Sequence, residues 1–538
     1  MNTTQHISYL HLLIILFIST PMIEAKNKSN KKKSTPSEKT TKEKETTQKS
    51  KASGLISFLF PIPAIIYNAG YNETTNSTTA KSGSFFEIYS PSDTHTTTFK
   101  DVAGLHGAKE DMQDIIEFIK DSDKFTKMGA KIPKGLLMTG GPGNGKTLLA
   151  RAAAGEMNCT FISVNGSDFS SEWAGVGTSR VQELFQVAHK NAPCVIFIDE
   201  IDAIAAMRSN NNGGVARDDN KTIIALLTEM DGLIQHEKPV IIFAATNRVD
   251  QLDPAILRPG RFDRIIEIGK PFIKDRIELL QINFAKIPLS DDINIHYIAQ
   301  ATVGFSGAEL VNLINEAIIL AIKDSSSILC MKHIEMAHDN ITLGRETRGM
   351  QQSQADLWNT AIHEAGHLIS YLFQEKTTAV RKVSIIPRGN TLGVAHMIPL
   401  KESYSITKND MINQIISCLA GRFAEELFDF DLSSGAQNDL EFAQKIAYEM
   451  VVTYGMSDDL RDRSYTQYKN DIPNDIATKI DIEVKKIIKN CQHLTRNLIA
   501  DHKDDIEKIA KLLLEKGTVQ GHEIYELLNL PQPEILMY

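Results

Sequence analysis

From about residue 99 to residue 270, short apolar runs alternate with longer stretches of helical spacing, the rhythm of strands and helices in turn. The runs at 135–138, 161–164, 195–198, 240–244 and 265–268 predict the strands of an α/β domain with a parallel sheet. After Pro271 the strand rhythm stops, and the apolar spacing predicts a small helical bundle. One further strand is predicted at 383–386, and the segment 357–530 reads as mainly helical, with a loop at 435–439.

Ahead of this lie two apolar stretches. Residues 7–18 are nearly continuous hydrophobic sequence, extendable to 23, and a spanning helix needs about 17 to 25 such residues. The second, 55–67, is interrupted by Pro61 and Pro63 and makes a poorer helix. Between them, residues 26–51 carry ten Lys against three Glu and read as a solvated linker. A cleaved signal ending near Ala25 is the rival reading of the first stretch, but no Lys or Arg precedes it. A single anchor with the Lys run inside obeys the positive-inside rule. With one span or two, the chain after residue 70 returns to the cytoplasmic side.

Composition narrows the field. At 538 residues the chain has room for two to four domains at about 150 residues each. With 42% hydrophobic and 23% charged residues, most of it is ordinary globular protein. The net charge of -9, set against the basic run at 26–51, leaves the rest acidic and argues against a nucleic-acid groove. The five cysteines are scattered, without a C-x-x-C pair, as in a reducing compartment.

Two patterns carry chemistry. Gly140-Gly141-Pro142-Gly143-Asn144-Gly145-Lys146-Thr147 fits G-x-x-x-x-G-K-S/T between a predicted strand and a predicted helix. Glycines there let backbone N–H groups curl around phosphate oxygens, Lys146 reaches the β and γ phosphates of ATP, and the Thr147 hydroxyl ligates Mg²⁺. The apolar run from Cys194 ends in Asp199 and Glu200, which suits a buried strand delivering one carboxylate to the metal and one to the attacking water.

The second pattern is His363-Glu364-Ala365-Gly366-His367, which fits H-E-x-x-H in a helix predicted over 359–372. Spacing i, i+4 sets both imidazoles on one helical face, ready for Zn²⁺, with Glu364 as the base about 100° round. A catalytic zinc takes three protein ligands, and Ser370 and Phe373 stand where a metzincin would have its Gly and third His. Glu425, Glu426 and Asp439 are the downstream candidates.

Over 99–342 the sequence resembles the AAA family of ATPases. The resemblance implies that Val102 and Ala103 lie at the adenine and that Asn247 senses the γ-phosphate. It also implies that Arg258 and Arg261 reach a neighbouring subunit's site in a homohexamer. Trp173 and Gly175 match the loop that grips substrate in the pore, with Trp where relatives usually have Phe, and 304–309 matches the start of the lid helix near the nucleotide. From about 355 to 530 the chain resembles the peptidase domain of the FtsH-type membrane-anchored AAA proteases. Their G-A-x-N-D motif makes Asp439 the third ligand and implies one zinc per subunit.

The expected domains are an anchor at 1–25, a linker at 26–98 that includes the second apolar stretch, an α/β ATPase at 99–270 with helices on both faces of its sheet, a helical lid at 271–345, and a mainly α zinc metallopeptidase domain at 346–538. The expected activity is ATP-dependent cleavage of membrane and cytoplasmic proteins. The alternative is an AAA chaperone with a silent peptidase-like domain. The segment 383–389 is expected to be an edge strand that pairs with extended substrate.

Overall fold

The computed structural model describes residues 85–533, apart from 92–96, 121–126, 128–133, 171–174, 206–213, 234–238, 348, 350–351, 375–377, 390, 401–404, 432, 462 and 469–471. Both N-terminal apolar stretches, the Lys-rich run and Trp173 lie outside the described residues.

The first sheet has the order β1-β3-β4-β5-β2-β6. Its strands are β1 (Glu87–Tyr89), β2 (Gly135–Thr139), β3 (Thr160–Asn165), β4 (Cys194–Asp199), β5 (Val240–Thr246) and β6 (Phe262–Glu267). The strands from β2 to β6 pair in parallel, as the buried apolar runs of β2 to β5 require, with β6 a mostly exposed edge, while β1 joins β3 antiparallel. This edge strand falls within the segment that composition assigns to the linker. Its three residues are too few to show a period, and they are held by pairing with β3.

The helices interleaved with these strands are α1 (His106–Lys120), α2 (Lys146–Met157), α3 (Val176–Lys190), α4 (Asp202–Ala205) and α5 (Gly214–Gly232). Alternation along β2 sends Leu137 into one hydrophobic core and Leu136 and Met138 into another, so the sheet is covered on both faces.

The lid consists of α6 (Ile273–Phe284), α7 (Ile295–Ala301), α8 (Gly307–Lys323) and α9 (Met331–Thr342), packed around a core of their own. Helix α8 begins at Ser306, whose hydroxyl accepts from the Glu309 N–H while the Glu309 carboxylate accepts from the Ser306 N–H, a reciprocal cap.

The C-terminal part comprises α10 (Gln354–Phe373), α11 (Lys408–Leu427), α12 (Gln437–Val452), α13 (Asn474–Asp501), α14 (Lys503–Lys516) and α15 (Gly521–Leu527), with a small sheet of order β8-β7-β9. Its strands are β7 (Thr378–Ser384), β8 (Val394–Pro399) and β9 (Thr518–Gln520). Two expectations change here. The strand through Val383 is central rather than an edge, because β9 covers its other side. The edges of this sheet among the described residues are β8 and β9. The segment 435–439 is a 3-10 turn, Ser434–Ala436, running into α12, and Asp439 sits in the first turn of that helix rather than in a loop.

Candidate active sites

The P-loop joins β2 to α2 through Gly140, Gly143 and Gly145, all at positive φ. Gly140 has no alternative, since a Cβ there would lie 2.0 Å from the Ile268 carbonyl oxygen. Lys146 Nζ donates to Asn247 Oδ1 at 2.7 Å and to the Gly140 and Gly141 carbonyls at 2.9 Å. Burial pulls the Lys146 pKa down, and Asp199 and Asp202 push against that. Thr147 Oγ1 donates to Asp199 Oδ2 at 2.8 Å, so the two expected Mg²⁺ ligands from separate elements meet at the end of β4.

Glu200 follows at a positive φ of 49°, exposed at the turn out of the strand. Asn144 is buried and ties the loop to Ile268. Val102 and Ala103 are buried, and the adjoining Gly104 N–H donates to Glu278 of the lid at 2.9 Å. Gly141 and Pro142 stay exposed on the outer side of the loop. Arg258 is exposed, whereas Arg261 is folded back onto Asp231 (3.2 Å) and the Ala255 carbonyl (2.7 Å). Gly175 caps the start of α3 at a φ of 84°.

The second site is built on α10. Its N-terminus is fixed by a reciprocal cap between Ser353 and Asp356, and its apolar face enters the core through Ile362, Ala365 and Ile369. At the crossing with α11 the backbones come close. A Cβ on Gly366 would stand 2.6 Å from the Ala424 Cβ and 2.8 Å from the Ala420 carbonyl, so only glycine fits. This contact brings the outer nitrogens of both histidines onto α11, where His363 Nδ1 meets Glu425 Oε1 and His367 Nδ1 meets the Ser417 carbonyl, each at 2.7 Å. Those acceptors put the Nδ1 proton outward and leave both Nε2 lone pairs facing inward.

The two Nε2 atoms are 3.0 Å apart, and Asp439 Oδ2 lies 3.3 Å from that of His363 and 3.5 Å from that of His367. Ligands at about 2.0–2.1 Å from a tetrahedral zinc stand roughly 3.3 Å apart, so this set of two imidazoles and one carboxylate fits the ion. Among the described residues this trio is the group able to hold a metal. Of the candidate ligands, Glu425 is turned to the outer nitrogen of His363, and Glu426 pairs with Arg422 and Arg496 near the surface.

Burial lowers the His363 pKa, but hydrogen bonds to Asp439 and Glu425 outweigh this and raise it, so a metal taking the inward position displaces a proton from Nε2. Burial raises Asp439, yet the two histidines keep it well below the usual carboxylate range. Glu364 is buried and pushed upward by desolvation, against the pull of His363 and His367. Two glycines that the motif search passes over frame these side chains. A Cβ on Gly421 would lie 2.6 Å from His367 Nε2, and one on Gly393, at the head of β8, 2.7 Å from Glu364 Oε1. For Gly421 the available signal is its place one helical turn before Glu425; Gly393 has no comparable local signal.

Residues 136–270 match the ATPase family associated with various cellular activities (AAA), residues 292–336 the AAA+ lid domain, and residues 350–527 peptidase family M41. The chain is 45% identical over 444 residues to the ATP-dependent zinc metalloprotease FtsH 1 of Bdellovibrio bacteriovorus, covering 80% of this chain and 69% of that protein. It is 42% identical over 447 residues to FtsH 2 of Methylacidiphilum infernorum, with coverage of 80% and 69%. To FtsH of Thermotoga maritima it is 40% identical over 455 residues, with coverage of 82% and 74%. These matches favour a working protease over a chaperone with a silent peptidase domain, and they imply Zn²⁺ and ATP with Mg²⁺ as cofactors. With the ATPase fold, the lid and the peptidase domain in one chain, this protein belongs to the FtsH family of ATP-dependent zinc metalloproteases.

Proposed function

We propose that this chain, as one subunit of a homohexameric ring, uses ATP to unfold membrane and cytoplasmic proteins and thread them to the zinc centre for degradation in protein quality control. The observation that carries the reading is the convergence of His363, His367 and Asp439 beside buried Glu364, in a chain whose P-loop gathers Lys146, Thr147, Asp199 and Asn247.

His363, His367 and Asp439 are the zinc ligands. When bound there, zinc supplies Lewis-acid polarisation of the scissile carbonyl and of the attacking water. Glu364 takes a proton from that water and returns it to the leaving amine nitrogen. Glu425 and the Ser417 carbonyl hold the two imidazoles in the tautomer that presents Nε2. The free edge of β8 accepts an extended substrate by backbone pairing, since Gly393 at its head lies against Glu364.

At the ATPase site the P-loop backbone and Lys146 bind the phosphates, Thr147 and Asp199 hold Mg²⁺, and Glu200 orients the attacking water. Asn247 senses the γ-phosphate, and Val102 and Ala103 border the adenine. Arg258, with Arg261, completes the site of the neighbouring subunit, for which the exposure of Arg258 is suited. Trp173 grips the polypeptide, and Gly175 gives its loop the bend into α3. The apolar stretches at 7–23 and 55–67 tether the ring, with the ATPase and peptidase domains on the cytoplasmic side. Among the described residues no helix is long and apolar enough to cross a membrane.

The test is degradation of casein by the purified full chain with ATP, Mg²⁺ and Zn²⁺. Lys146→Ala and Glu364→Gln should each abolish it, with ATP hydrolysis lost only in the first. Peptide release by Glu364→Gln at the wild-type rate would remove Glu364 as the base.

A further inference from the structure

The lid and the peptidase sheet meet through a buried polar cluster that neither active site uses. Pairing between β7 and β8 jumps from Val380–Met397 to Lys382–His396, so Arg381 is an inserted residue in a bulge. A bulge re-aims side chains that would otherwise alternate between faces. Here the consecutive Arg381 and Lys382 both meet consecutive residues of lid helix α9. Arg381 Nη1 donates to His338 Nδ1 at 2.8 Å, and Lys382 Nζ donates to Asp339 Oδ2. Arg388 adds a third cation, 3.8 Å from the same Asp339 oxygen, and also bonds Glu346 at 2.7 Å.

All of His338, Asp339, Arg381, Lys382 and Arg388 are less than a tenth exposed. Desolvating ions costs several kcal/mol each, and well-packed apolar residues hold two surfaces together at least as well, so adhesion alone does not account for the cluster. Its directional bonds fix one alignment.

The contacts continue on both sides. His338 lies flat against Phe305, with ring planes 2° apart and centroids at 5.7 Å, and its Nε2 bonds the Ala301 carbonyl. Phe305 directly precedes the cap of α8, where the Ala308 N–H donates to the Gly143 carbonyl of the P-loop at 3.0 Å. On the peptidase side, β7 carries β8, and the head of β8 is Gly393, whose backbone lies against the Glu364 carboxylate. Direct contacts therefore run unbroken from Gly143 through Ala308, Phe305, His338 and Arg381 to β8 and Glu364. A bound phosphate competes for Lys146 Nζ with the Gly140 and Gly141 carbonyls, which gives nucleotide a handle on the loop against which α8 leans.

We propose that His338 and Arg381 are positioning residues that carry the nucleotide state of the P-loop to strand β8 and so set the backbone beside Glu364. The proposal rests on the assignment of Glu364 as the peptidase base. Its consequence is that cleavage of a short unstructured peptide, which needs no unfolding, depends on which nucleotide is bound. Where the coupling acts on binding, linkage makes it reciprocal: a ligand in the peptidase cleft whose affinity responds to nucleotide changes nucleotide affinity by the same factor.

The experiment uses the full-length, zinc-loaded protein and a fluorogenic short peptide, without nucleotide, with ADP, and with a non-hydrolysable ATP analogue. In the wild type, kcat/KM is expected to differ about fivefold or more between nucleotide states, within the usual range of coupling between sites. His338→Ala and Arg381→Met should keep the nucleotide-free rate and ATP hydrolysis but lose the response, and His338→Gln, which retains a donor and an acceptor, should restore much of it. Nucleotide affinity measured with and without a peptide hydroxamate should shift in the wild type and not in His338→Ala. Phe305→Leu tests the same joint should His338→Ala fail to fold. A response undiminished in the variants, or absent from a wild type that cleaves the peptide, overturns the proposal. A wild type that cleaves no peptide in any state overturns the Glu364 assignment with it.

Discussion

Gly421 faces His367 with no side chain between them, and a Cβ at position 421 would lie 2.6 Å from His367 Nε2 and 2.7 Å from His363 Nε2. Both atoms are the inward nitrogens of the proposed zinc ligands, so the glycine keeps open the face on which the metal would sit. Gly421→Ala is expected to reduce zinc affinity at least tenfold, read as metal content after dialysis against a buffered zinc pool. Helical circular dichroism should be retained, because alanine is the better helix former. Full zinc occupancy in the folded variant would show that the methyl group is accommodated elsewhere.

Glu425 and Glu426 are neighbours in sequence with different surroundings. Glu425 is buried and accepts from His363 Nδ1, while Glu426 pairs with Arg422 and Arg496 near the surface. Glu425→Ala should lower zinc affinity or peptidase rate by about 10- to 100-fold, the usual effect of removing the partner of a ligating histidine. Glu426→Ala should change stability by less than about 1 kcal/mol and leave zinc binding intact. Titration of both variants with a zinc chelator separates them, and equal effects would contradict the orientation assigned to Glu425.

The contrast shows how much of the molecule can be read from sequence. The P-loop and the H-E-x-x-H helix are contiguous patterns whose chemistry follows from local spacing, and the parallel strands β2 to β5 follow from their buried apolar runs. What sequence leaves open is set by packing between distant elements. Glu425, Glu426 and Asp439 were equal candidates on residue type, and resemblance to the family was needed to prefer Asp439. The geometry depends on the close crossing at Gly366, which turns Glu425 to the back of His363 and leaves the front to α12. The strand through Val383 reads as an edge because the three residues that cover it, Thr518–Gln520, come near the end of the chain and show no period of their own.

Acid should weaken the junction between the lid and the peptidase sheet. Burial, Arg381 and Lys382 hold both His338 and His396 well below the ordinary histidine value of 6.5, with His396 adding to the effect on His338 and Arg388 to that on His396. The charged groups around them also include Asp339, which is engaged by Lys382. Above pH 6.5 both histidines are neutral in the folded and unfolded chains and contribute nothing. As pH falls through that value the unfolded chain takes up protons that the folded one refuses, so stability drops by up to about 1.4 kcal/mol per pH unit for each histidine. Denaturation midpoints between pH 7.5 and 5.5 should fall, and His338→Gln with His396→Gln should flatten the slope. A slope unchanged by the double substitution would assign it to other groups.

The two arginines assigned to the neighbouring subunit's site make different predictions. Arg258 is exposed and free to reach outward, while Arg261 spends its guanidinium on Asp231 and the Ala255 carbonyl of its own chain. An arginine acting on a transferring phosphoryl group is worth about 10³- to 10⁵-fold in rate, so Arg258→Ala should nearly abolish ATP hydrolysis. Arg261→Ala should lose the Asp231 contact as well and therefore reduce thermal stability along with rate. Action in trans is tested by mixing. A chain with Lys146→Ala cannot hydrolyse ATP but still presents Arg258, and a chain with Arg258→Ala keeps a sound P-loop. Co-assembled, the two create junctions where an intact arginine meets an intact P-loop, and ATPase activity should reappear with a maximum at intermediate ratios. If the arginine served its own chain, every mixture would stay inactive, and both the ring and the role of Arg258 would have to be given up together.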